Sequence, residues 1–264
     1  MTVPRWRVIG AAVTGTSHLH SGQVCADAYA SRVYDNDLLC VVVADGAGSA
    51  SYAALGAKTA VQAALDGLAL LLSEQAEPAA KDQWESLLKR ICMLAHDALV
   101  RCAQNTFASL PTQASQADIL RHFATTFLLT IVSQDWLVAA QIGDGAIVVR
   151  HANGVLDSLT PRRRGKYFNE TNFLTESTYL DRVIYTVRQR ADLAGLAMLT
   201  DGLELLALDF SNNTPYAPFF DPLFAFALKP VANSAEIESF LASQQVCERT
   251  DDDKTLVLAV YAHE

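Results

Sequence analysis

Residues 38–44 form an unbroken apolar run that ends abruptly in Asp45 and Gly46, and a long alanine-rich helical pattern starts a few residues later. This junction constrains the fold more than any other stretch. A run that apolar reads as a strand buried within the protein, and it stops at a carboxylate. The glycine beside that carboxylate leaves the backbone open to a metal or a water. Two further stretches repeat the pattern: Gly143-Asp144-Gly145 interrupts the apolar residues 140–146, and Thr200-Asp201-Gly202 follows 197–199. An acidic triplet, Asp251-Asp252-Asp253, precedes the last apolar run, 255–261. A lone Asp-Gly is an ordinary turn dipeptide. Four acidic sites at the ends of separate apolar runs suggest one shared cation site built from oxygen ligands.

The periodicity along the chain sets the fold class. Short strands are predicted at 8–14, 28–33 and 38–44, with Asp35-Asn36-Asp37 as a turn and 15–22 as a loop. Such spacing favours antiparallel pairing. From Ser49 the period changes: Ala53, Ala57, Ala60, Ala64, Leu68 and Leu71 mark one face of a helix. A second helix carries Trp84, Leu87, Leu88, Ile91, Ala95 and Leu99, and 105–116 reads as a polar connector. Strands return at 124–132, 136–142, 146–150, 155–159, 183–187 and 196–199, with Asn153-Gly154 as a hairpin turn. Asp221-Pro222 reads as a helix cap followed by its first residue. Asn233 and Glu236 read as a capping pair, and 255–261 as a closing strand. Strands, then two long helices, then a strand meander do not alternate as parallel-sheet units do. The order predicts an α+β chain, antiparallel sheets with a helical hairpin outside, in a single domain spanning 1–264.

Composition narrows the function. Hydrophobic residues make up 51% of the 264 positions, enough for a large core. The net charge of −9 argues against nucleic acid and against acidic membrane surfaces as partners. The apolar stretch 65–72 is broken by Asp66 and Gly67 and falls short of a membrane span. The N-terminus is too polar for a secretory signal. The five cysteines are odd in number and lack metal-site spacing, so they read as reduced thiols of a cytoplasmic protein, with Cys40 and Cys92 in the core. Neither a Gly-x-Ser-x-Gly elbow nor a Gly-Lys-Ser/Thr phosphate loop is present.

Taken in order, these motifs resemble the metal-dependent serine/threonine protein phosphatases of type 2C, and most closely their compact bacterial branch. Asp45-Gly46-Ala47-Gly48 resembles the family's Asp-Gly-x-Gly, and Ala124-Thr125-Thr126 its Gly-Ser/Thr-Thr strand start. Ile142-Gly143-Asp144 resembles Val-Gly-Asp, and Thr200-Asp201-Gly202 resembles Ser/Thr-Asp-Gly. Asp252-Asp253-Lys254-Thr255 resembles Asp-Asn-x-Thr, with Asp252 in the ligand place. The resemblance implies a four-layer α-β-β-α sandwich with two central antiparallel β-sheets. It implies two or three Mn²⁺ or Mg²⁺ ions: Asp45 bridging two, Asp201 and Asp252 on the first, the Gly46 carbonyl on the second, and Asp144 on a third. It implies hydrolysis of phosphoserine and phosphothreonine in proteins by a metal-activated water, a cognate serine/threonine kinase, and a monomer.

Two departures stand out. Cys25-Ala26-Asp27-Ala28 resembles Glu-Asp-Ala only in its aspartate, Asp27; Ala26 removes the acid that contacts the second ion, leaving Asp27 as an outer, water-holding carboxylate. The phosphate-clamping arginine of many members falls at Gly22. Candidates for that place are His18, His20, and Arg162, Arg163 and Arg164 of a basic loop that also carries Lys166. These losses keep two alternatives in view: a pseudophosphatase that binds phosphoproteins, and a phosphoesterase for a small phosphate ester.

Overall fold

The protein is described from a computed structural model, which covers residues 6–108, 115–159, 171–209 and 214–261. In chain order the strands are β1 (Trp6–Val13), β2 (Asp27–Val33), β3 (Leu39–Asp45), β4 (Phe127–Val132), β5 (Trp136–Ile142), β6 (Ala146–His151), β7 (Leu156–Ser158), β8 (Ile184–Gln189), β9 (Leu193–Leu199), β10 (Leu208–Asp209), β11 (Thr214–Pro215) and β12 (Lys254–Tyr261). The helices are α1 (Thr16–Ser21), α2 (Ala53–Glu74), α3 (Lys81–Phe107), α4 (Gln116–Arg121), α5 (Tyr179–Arg182), α6 (Glu204–Ala207), α7 (Ala217–Ala227), α8 (Ser234–Leu241) and α9 (Gln244–Cys247).

Two five-stranded sheets carry the architecture, ordered β1-β12-β9-β6-β7 and β2-β3-β4-β5-β8, and every strand pair in them is antiparallel. Alternation along β3 explains why its run is apolar throughout. Leu39, Val41 and Val43 face the other sheet, while Cys40, Val42 and Ala44 face α2 and α3. A strand covered on both sides has no solvent face to mark with polar residues. The opposite sheet is covered by α7 and α8, whose Phe220, Phe224, Ile237 and Leu241 pack on Leu199, Leu256 and Leu258. Three apolar layers therefore separate helices, sheet, sheet and helices. This is the α+β four-layer arrangement implied by the family resemblance.

Helix α2 turns its small residues inward, with Ala57, Ala60 and Ala64 fully buried, and contacts α3, β2 and β3. Its length of 22 residues and mean hydropathy of 1.3 would suit a membrane span, but half of that window is buried inside the protein. Both Cys40 and Cys92 are buried free thiols.

Three local expectations are corrected. Residues 15–22 are not a loop throughout: they contain α1, which buries no residue and so lacks an apolar period to read. The connector at 105–116 leads into α4, capped reciprocally by Ser115 and Asp118, whose side chains each accept from the other's backbone N–H. Pro222 lies within α7 rather than at its start. The buried face formed by Phe220, Leu223, Phe224 and Ala227 requires the helix to begin before Phe220. That burial outweighs the one hydrogen bond the proline cannot donate.

Candidate metal centre

The strand-end residues converge because register brings them to one end of the sandwich. Asp45 closes β3 and pairs directly with Asp27, which opens β2. Directly opposed residues project to the same face. For Asp45 this is the face of Leu39, Val41 and Val43, between the sheets. From the other sheet, β9 ends at Leu199 and delivers Thr200 and Asp201, and β12 begins just after Asp252 and Asp253. Asp144 arrives on the turn between β5 and β6.

One carboxylate oxygen each from Asp45, Asp144 and Asp201 lies within 4.8 Å of the others. The backbone of Asp45 is pinned by the threonine pair: its N–H donates to Thr126 Oγ1 (2.9 Å), and its carbonyl accepts from Thr126 N (2.8 Å) and Thr125 Oγ1 (2.9 Å). Asp144 sits between two glycines at φ +90° and +88°, a conformation that side chains resist. The Gln141 amide donates to both of their carbonyls. Glu204 Oε1 accepts from Gly145 N at 2.9 Å, and Thr171 Oγ1 donates to Asp144 Oδ2 at 2.8 Å. Glu204, buried on the turn after Asp201, thus ties two acidic turns together. Neither Gln141, Thr171 nor Glu204 was legible as a supporting residue.

Asp27 is buried. Its Oδ2 accepts from Thr200 Oγ1 and Thr255 Oγ1, each at 2.8 Å, whereas Oδ1 has no hydrogen-bond partner. Asp253, also buried, accepts from three donors: Gly15 N (2.6 Å) at Oδ1, and Ala26 N (2.6 Å) and His18 Nδ1 (2.9 Å) at Oδ2. Asp252 is exposed and lies outside the three-carboxylate group, but close enough that its charge acts on Asp201. Its Oδ1 accepts from Asp253 N, and Lys254 Nζ holds its carbonyl. His18 is therefore tied to Asp253, and His20 is exposed. Arg162, Arg163 and Arg164 lie outside the described residues.

The buried carboxyls of this cluster disfavour one another's charged forms. Burial pushes the Asp45 carboxyl far above its usual range, and the charges of Asp27 and Asp201 push it further. Burial, then Asp144 and Asp252, lift Asp201 to about 7. Burial lifts Asp27 as well, against the hydroxyl bonds from Thr200 and Thr255 that favour its charged form. Cys25 beside this group is held as a thiol by burial, then by Asp27 and Asp253.

A family model described as protein phosphatase 2C matches residues 14–242. Serine/threonine-protein phosphatase 3 of Escherichia coli (strain K12) is 36% identical over 267 residues, spanning 97% of this chain and 99% of its own length. The chain belongs to the protein phosphatase 2C family. Solved structures agree in fold. The serine/threonine phosphatase Stp1 from Staphylococcus aureus has a TM-score of 0.60 at 15% identity, over 99% of this chain and 96% of its own. The catalytic domain of the serine threonine protein phosphatase PstP, solved in complex with 2 manganese ions, has a TM-score of 0.56 at 17% identity, over 98% and 99%. This 2C-family chain carries aspartates at the strand ends and an alanine, its side chain buried, at position 26.

Proposed function

We propose that this 2C-type phosphatase hydrolyses phosphoserine and phosphothreonine in proteins with two or three bound Mn²⁺ or Mg²⁺ ions. The observation that carries this reading is the meeting of Asp45, Asp144 and Asp201 oxygens within 4.8 Å at the ends of both sheets. An all-oxygen donor set suits a hard divalent cation. The residues fit one, because burial disfavours the charged forms of Asp27, Asp45 and Asp201. When bound, the ions supply an activated water and offset charge on the phosphoryl oxygens.

The chain's own part is to hold and aim. Asp45, fixed by Thr125 and Thr126, would be held by two ions in common. Asp201 and Asp252 would hold the first, the Gly46 carbonyl the second, and Asp144, with Asp201, a third. Gly46 must be glycine, since a Cβ there would lie 2.6 Å from the Ala53 carbonyl oxygen at the start of α2. His18, His20 and the arginines Arg162 to Arg164 are the candidates for contacting the substrate phosphate. The same reading makes the chain one catalytic domain over 1–264, a cytoplasmic monomer paired with a cognate kinase. The test is turnover of a phosphothreonine peptide with and without millimolar Mn²⁺. Metal-dependent release of phosphate is expected; folded protein without turnover at saturating Mn²⁺ would sink the reading.

A further inference from the structure

We infer that Asp27 is a direct ligand of the second ion and stands in for the acid that Ala26 lacks. The inference rests on the two-ion reading above. Three observations lead to it.

The first is the state of the Asp27 carboxylate. It is 8% exposed, and one oxygen is fully engaged by Thr200 and Thr255. The other oxygen, Oδ1, is buried and pairs with no amide or alcohol donor. A buried carboxylate oxygen left so is costly, and a directly bound cation would satisfy it.

The second is its neighbour. Asp27 and Asp45 are directly opposed on β2 and β3, and their carboxyl groups lie within hydrogen-bonding reach of each other. Neither is a donor when charged, so the gap between them is a place for a cation.

The third is a broken ladder. At the next pair, Gly46 N–H donates to the Ala26 carbonyl at 3.2 Å. The reciprocal bond, from Ala26 N–H to the Gly46 carbonyl, is replaced: Ala26 N–H donates instead to Asp253 Oδ2 at 2.6 Å. Asp253 thereby withdraws the donor that would otherwise occupy the Gly46 carbonyl. Asp27 Oδ1, the Asp45 carboxylate and the Gly46 carbonyl are thus left without backbone donors at the same end of the β2-β3 pair, where Ala26 contributes no oxygen from its side chain. This set suits a small hard cation that keeps several waters.

The test is a crystal of the wild-type protein soaked in Mn²⁺ and measured at the manganese edge. The expected map places an ion at direct bonding distance from Asp27 Oδ1, about 2 Å as for Mg²⁺-like ions. An ion on Asp45 and Gly46 with a water between it and Asp27 overturns the inference, as does a map with ions only at Asp144 and Asp201. A second measurement counts Mn²⁺ per chain by equilibrium dialysis for wild type and Asp27→Asn. The amide oxygen can still accept from Thr200 and Thr255, and circular dichroism verifies the fold. Loss of one ion per chain at saturating Mn²⁺ supports direct ligation; retention of both overturns it. Either failure leaves the phosphatase reading to its own test, peptide turnover by the wild type.

Discussion

Single side chains at the site divide into holders of ions and holders of other residues. Asp45→Asn removes charge from the place where two ions would meet. Turnover is expected to fall by roughly 10³-fold or more, equivalent to about 4 kcal/mol of barrier. Asp144→Ala is expected to reduce turnover while leaving the tight ions in place, so titration calorimetry separates the two variants. Equal loss of binding in both would refute this division of roles. Asp253 belongs to the second kind. Asp253→Ala frees the Ala26 N–H to close the ladder on the Gly46 carbonyl. The second ion is expected to bind ~10–100-fold more weakly, the range for outer partners of ligands, with the first ion unaffected. The residues that were legible beforehand share one property: Asp45, Asp144 and Asp201 each punctuate an apolar run. Asp253 was assigned only a place in a motif, because nothing in an acidic triplet distinguishes a buried acceptor of three donors from an exposed neighbour such as Asp252.

Elements were legible where burial imposed a period. Helices α2 and α3 press a broad face on the β2-β3-β4-β5-β8 sheet, and their stripes were plain. Helix α1 buries nothing and left no period. Helix α7 was misplaced because the local rule for proline was followed instead of the spacing of its phenylalanines. That misreading has a measurable counterpart. Pro222 is exposed inside α7, so Pro222→Ala restores an N–H to the ladder without loss of packing. The gain is roughly 1–2 kcal/mol, after the unfolded chain recovers some freedom. Denaturant unfolding should show a higher midpoint with an unchanged slope. At the next helix, Asn233 Oδ1 accepts from Glu236 N, so Asn233→Ala should cost about 1 kcal/mol in the same measurement and leave Mn²⁺ binding intact.

At the scale of the whole molecule, the acidic centre sets a pH dependence. Asp27, Asp45 and Asp201 have folded pKa values raised above the ordinary carboxylate value near 4, to about 7 for Asp27 and Asp201. Between those limits the folded state binds more protons than the unfolded one, so stability of the metal-free protein falls as pH rises through that window. A bound Mn²⁺ would remove the repulsion and stabilise by ~2.7 kcal/mol at a hundredfold excess over its Kd. Thermal unfolding from about pH 5 to about pH 8 should therefore show a declining Tm without metal and a flatter curve with it; a metal-free Tm that climbs would contradict the charge assignment. The connectivity carries a different consequence. Strand β12 lies inside its sheet between β1 and β9, and the turn before it supplies Asp253, which gathers Gly15, His18 and Ala26 from the opposite end of the chain. During synthesis the ribosome delivers this strand after every other strand described, so a nascent chain has neither a closed sheet nor a finished ion site until β12 has emerged. A truncation ending before Asp251 should take up no second ion in dialysis, so phosphatase activity is expected only of chains that carry β12.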